Sequence, residues 1–149
     1  MELTVLMGHA PATVDDKGRL KVPVDFRKVI EERYGRDCFI TSEDGDKALI
    51  YPMPVWSEMT DRLARVPSSS RAKQKWLERV NYYGQAGSID GQGRLLVPAV
   101  LREVAGIKDD VVVLGSQDHL IVWNDQKIQK RLSEPLTPED YKELELHGV

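Results

Sequence analysis

The sequence predicts a β-rich α+β fold. Two copies of one β-loop-β-α-β-β unit are related by a pseudo-two-fold axis, with a helical insert between them and a short helical tail after the second. Three observations predict it. First, residues 12–28 repeat in residues 87–103 at an offset of 75, with seven of 17 positions identical. Asp15, Gly18, Arg19, Leu20, Val22, Pro23 and Arg27 recur as Asp90, Gly93, Arg94, Leu95, Val97, Pro98 and Arg102. Second, each copy places Asp three residues before Gly between two apolar pairs. The Asp side chain accepts from a backbone N–H two residues on, and Gly supplies positive φ, so each copy holds a tight turn between strands. Third, the stretch between the copies changes from alternating to helical spacing at Trp56, Met59 and Leu63.

The elements follow in order. Thr13-Val14 and Ser88-Ile89 read as the strands before each turn, and the next strand begins at Arg19 or Arg94. Leu20 and Val22 share one face, as do Leu95 and Val97. Proline ends each strand and suits the first turn of a helix. Phe26, Val29 and Ile30 make the buried stripe of the first helix, with Gly35 as its stop. Leu101, Val104 and Ala105 do so in the second, before Gly106. Two more strands close each unit, near 38–42 and 48–51 and again near 111–115 and 120–123. The corresponding divisions are 8–54, a helical connector at 55–83, 84–127, and an acidic tail at 128–149. Within the connector Pro67 breaks the helix, a serine of 68–70 caps the next one, and Trp76, Leu77, Val80 and Tyr83 continue it. Thr137-Pro138-Glu139-Asp140 opens a last short helix.

Composition narrows the function classes. The formal net charge is −3, but it is unevenly placed. Residues 134–149 hold five acids against Lys142, a net of −4, which leaves the rest at +1. Residues 61–79 hold six bases against Asp61 and Glu78, and their plain reading is a solvated helix face. No apolar run approaches the length that spans a bilayer, so no membrane association is expected. Met1–Met7 has no basic region before its apolar residues, unlike a signal peptide. One cysteine, Cys38, allows no intrachain disulfide, makes a reducing compartment the default and reads as core. An enzyme is not expected. His9, His119 and His147 fall in no metal-ligand spacing, Ser68–Ser70 have no partner for activation, and no phosphate-binding glycine motif occurs. Neither a cofactor, a metal nor a small-molecule substrate is therefore expected.

The loops are the candidates for ligand contact. A pseudo-two-fold axis would set them side by side, and arginine at the tip of a tight turn suits phosphate or the O6 and N7 edge of guanine. Arg19, Arg94 and Lys17 are the candidate DNA-binding residues, with Gln92 in the place of Lys17 in the second copy. Gln92 suits a base edge but offers no charge to phosphate. Asp15, Gly18, Asp90 and Gly93 read as loop-shaping residues. Salt bridges from Arg19 to Asp15 and from Arg94 to Asp90 are the competing assignment for the two arginines. Arg27 and Arg102, on the helices, read as internal ion-pair partners.

The stretch Leu6-Met7-Gly8-His9, then Val14-Asp15-Asp16-Lys17-Gly18-Arg19-Leu20-x-Val22-Pro23-x-x-Phe26-Arg27, resembles the MraZ family. So do Asp90-x-x-Gly93-Arg94-Leu95-Leu96-Val97-Pro98-x-x-Leu101-Arg102 and the segment Tyr51-Pro52-x-Pro54-x-Trp56. The resemblance covers about residues 6–125. It implies two SpoVT-AbrB modules of the swapped-hairpin AbrB type. It also implies a transcriptional regulator, often a repressor, at the promoter of the division and cell-wall gene cluster. Binding of double-stranded DNA, a cytoplasmic, nucleoid-associated location and assembly into a homo-oligomeric ring come with it. The family's DNA-binding residues correspond to Lys17, Arg19 and Arg94. The alternative reading is an AbrB-type antitoxin or protein-interaction module. In either case the acidic tail is expected to tune solubility or assembly.

Overall fold

The computed structural model describes residues 5–149. The expectation about the N-terminal segment bears mainly on Met1–Thr4, which lie outside them. The first unit is β1 (His9–Val14), β2 (Arg19–Lys21), α1 (Val24–Arg33), β3 (Asp37–Thr41) and β4 (Ala48–Pro52). Then come α2 (Met53–Ala64) and α3 (Arg71–Tyr82). The second unit is β5 (Gln85–Ser88), β6 (Arg94–Leu96), α4 (Ala99–Val104), β7 (Asp109–Ser116) and β8 (His119–Asn124), followed by α5 (Asp125–Leu132) and α6 (Pro138–Leu146).

The eight strands form one antiparallel sheet in the order β5-β3-β4-β8-β7-β1-β2-β6. Its two ends approach each other, so the sheet curls into a nearly closed barrel. The units are interleaved. β1 pairs with β7 and β5 with β3, so each unit's first hairpin lies on the other unit's second hairpin. β2 pairs with β6 and β4 with β8 across the pseudo-axis. A three-residue strand holds little surface, and only this exchange gives the short β2 and β6 a continuous sheet to join.

Period-two alternation places Leu20, Leu95, Ile40, Ile50, Val113 and Val122 inside, all essentially inaccessible. Phe26, Val29, Ile30 and Leu101 close the barrel from the helices, as their spacing predicts. Two details differ from the sequence reading. Val104, the last residue of α4, is half exposed, whereas Ala105 is buried as expected and Ile107, just beyond the helix, fills the core with it. Pro23 and Pro98 lie one residue before their helices, with extended ψ of 138°. Cys38 is buried, and desolvation raises its thiol pKa to about 12, so it is an inert core residue.

A second apolar cluster sits outside the barrel. Phe39, Leu49 and Tyr51 face outward from β3 and β4, and the α2–α3 pair covers them. Trp56 stacks on Phe39 at 4.6 Å and on Trp76 at 5.5 Å. Thr41 Oγ1 donates to the carbonyl of Val80, tying α3 to the sheet. Ser70 caps α3 by accepting from the amide of Lys73.

Candidate nucleic-acid interface

Both loops are built by one carboxylate. Asp15 Oδ1 accepts from the amides of Lys17 (3.0 Å) and Arg19 (2.9 Å), while Oδ2 accepts from Arg19 Nε at 2.9 Å. Asp90 repeats this with the amides of Gln92 and Arg94, both at 2.9 Å, and Arg94 Nε at 3.1 Å. Gly18 and Gly93 close the turns at φ +85° and +77°, donating back to the Asp carbonyls. Those backbone angles disfavour any residue with a Cβ. Hydrogen bonds from the amides of Arg19 and Arg94, chiefly, hold the two carboxyls below their ordinary range, Asp90 at about 2.

A depressed native pKa stabilises the loop above the unfolded carboxylate range and ceases to do so as pH falls through the native value. Order in the second loop is therefore expected to persist at pH 4 and to fade toward pH 2. The amide resonances of Gln92 and Arg94 report it, and Asp90→Asn should remove the transition.

The ion-pair and ligand-binding readings of the arginines are compatible. Each Asp engages Nε alone, and the outer Nη atoms of Arg19 and Arg94 make no bond to another described residue. The salt bridge orients the guanidinium and leaves its fork turned outward, with the side chains 31% and 29% exposed.

The β2–β6 register brings the loops together. Lys21 stands opposite Arg94, and Arg19 opposite Leu96. Leu20 and Leu95 point inward, so Arg19, Lys21, Arg94 and the exposed Leu96 share the outer face of a two-stranded ribbon. Lys21 is the residue the sequence reading missed. Its position two residues after Arg19 in a strand was the available signal. Lys21 Nζ also donates to the carbonyl of Gln92.

Arg27 and Arg102 brace the loops crosswise. Arg27 pairs with Glu31 at 3.0 Å, as predicted, and Nη2 reaches the carbonyl of Gly91 at 3.4 Å. A methyl on Gly93 would lie 2.8 Å from Arg27 Nη1. Arg102 makes no ion pair among the described residues, because Gly106 stands where Glu31 stands in the first copy. Its Nε donates to the carbonyl of Val97, and its guanidinium fills the space over Gly18. Each helix thus supports the other unit's loop. The second loop is held by Lys21 and Arg27, whereas Leu96 offers no such bond to the first.

No helix of the described residues is long and apolar enough to cross a membrane. The family model described as the MraZ protein, antitoxin-like, matches residues 5–79 and 85–141. The chain is 46% identical to a transcriptional regulator MraZ of Acidobacterium capsulatum, over 95% of this chain and 98% of that protein. It is 43% identical to the protein of that name in Koribacter versatilis, again over 95% and 98%. The Leuconostoc citreum protein is 31% identical over 94% of each.

Proposed function

Because the chain belongs to the MraZ family, we propose that it is a sequence-specific DNA-binding transcription regulator that reads DNA with the β2–β6 ribbon and its two loops. It represses the promoter of its own division and cell-wall gene cluster, as a cytoplasmic, nucleoid-associated ring of identical subunits. It performs no catalysis. One observation carries the reading: two pre-oriented guanidinium groups and Lys21 lie on one exposed ribbon, with Lys17 in the adjoining loop, in a chain that is acidic overall. Arg19 and Arg94 take base edges or phosphate, Lys17 and Lys21 supply phosphate contacts, and Gln92 bonds a base edge. Asp15, Gly18, Asp90 and Gly93 hold the loops in shape. One protomer neutralises few phosphates, so a ring aligned with repeated DNA boxes multiplies a modest single-site affinity.

The test is an anisotropy titration of the protein against its own upstream promoter and a scrambled duplex, across a salt series. The promoter is expected to bind tighter by about a thousandfold or more. Lys17→Gln should lower the salt slope by about 0.9 per engaged subunit and weaken both duplexes alike. Equal binding of promoter and scrambled DNA would remove the sequence-specific reading.

A further inference from the structure

The fold repeats beyond its two sheet units. Tyr51 and Trp123 are equivalent at an offset of 72, and so are Trp56 on α2 and Ile128 on α5, all four buried on the outer face. Each unit is thus followed by helices, α2–α3 after β4 and α5–α6 after β8. The two second helices have opposite fates. α3 is packed through Trp76 and Val80, whereas α6 buries no residue. Residues 133–149 are exposed throughout, apart from the half-buried Asp140. A nine-residue helix that touches nothing is marginal in water. Yet α6 begins with proline and is closed by a full capping box between Thr137 and Asp140. Its Tyr141 and Leu144 lie exposed beside its acids.

The charges of the two segments are complementary. Residues 61–79 carry six bases against two acids, a net of +4, and residues 134–149 carry five acids against one base, a net of −4. None of those bases or tail acids forms a salt bridge with a described residue. Lys73 and Arg79 donate instead to the backbone carbonyls of Val66 and Lys75. Arg71, Lys75 and Arg79 recur every four residues, a stripe about 12 Å long on α3, with the exposed Tyr82 just beyond it. The acids Glu139 to Glu145 span about 9 Å of α6.

We propose that α6 of one copy docks along the basic α2–α3 face of a second copy. This rests on the assembly reading above and names its contact. Like faces repel and unlike faces attract, so the contact is head-to-tail and each copy offers both halves. Such heterologous contacts close into a ring when the rotation between neighbours divides a full turn. The tail's own body presents it with no partner among the described residues, which is why the occupant is a second chain.

Charge reversal tests it. Arg71→Glu, Lys73→Glu, Lys75→Glu and Arg79→Glu together take residues 61–79 from +4 to −4 and make both faces acidic. Glu134→Lys, Glu139→Lys, Glu143→Lys and Glu145→Lys together take residues 134–149 from −4 to +4 and make both basic. Light scattering of the native chain should give a multiple of the 16.9 kDa subunit that falls as salt rises. Each reversed variant alone should lose at least half of the native particle mass. An equimolar mixture of the two should regain it, a recovery that misfolding or docking within one chain would not produce. Variants that keep the native mass, or a mixture no heavier than its components, overturn the docking. A native particle of one subunit overturns the assembly reading itself, and promoter binding is scored separately in the anisotropy series.

Discussion

Alanine at Arg19 and at Arg94 is expected to weaken promoter binding roughly 10- to 100-fold each per engaged subunit, with the particle mass unchanged. A bidentate contact from arginine to guanine is worth about 1–3 kcal/mol, and 1.4 kcal/mol is tenfold. The loops should outlast the substitution. Truncation removes only the Nε donor to Oδ2, whereas the two amide bonds to Oδ1 are backbone and stay. The readout therefore separates recognition from folding. Arg19→Lys should recover phosphate affinity better than base discrimination, since an ammonium cannot present a fork. Unchanged affinity in the double variant would sink the loop assignment.

Trp56→Ala is expected to cost about 3–5 kcal/mol of unfolding free energy, measured by denaturant titration. The indole is buried and sits between Phe39 and Trp76, with Tyr51 tilted against it at 5.3 Å. Removing it leaves a void under α2 and ends two stacking contacts at once. A domain of this size is stable by about 5–15 kcal/mol, so the loss is a large share of the total. A change below about 1 kcal/mol would mean that α2–α3 is an appendage that opens independently of the barrel. The pseudo-equivalent Ile128→Ala removes a smaller buried side chain and should cost less.

What could be read from the chain alone divides along the line between local and distant chemistry. The Asp loops were legible because their bonds join residues two and four apart. The capped starts of α3 and α6 were legible for the same reason. The pairing of Arg27 was legible in Glu31 four positions on, whereas Arg102 was misread as an ion-pair partner although Gly106 stands at the matching position. The facing of Lys21 and Arg94 could not, because 73 residues separate them and the β2–β6 register is set by packing inside the barrel. The crosswise bracing of each loop by the other unit's arginine was hidden likewise. Val104 was misread because Leu101 and Ala105, four apart, take the buried side of the short helix α4 and leave Val104 turned outward.

The interleaving of strands has a consequence for synthesis of the chain. β1 and β2 emerge from the ribosome early, but the strand that covers β1 comes about 100 residues later. At translation rates of about 5–20 residues per second, that hairpin waits roughly 5–20 seconds with an open edge. Its composition suits the wait. Pro11 interrupts the row of donors along β1, and Lys17, Arg19 and Lys21 crowd the turn with positive charge, both of which discourage strand addition by a neighbouring nascent chain. The cations offered to DNA in the finished protein thus guard the unfinished one.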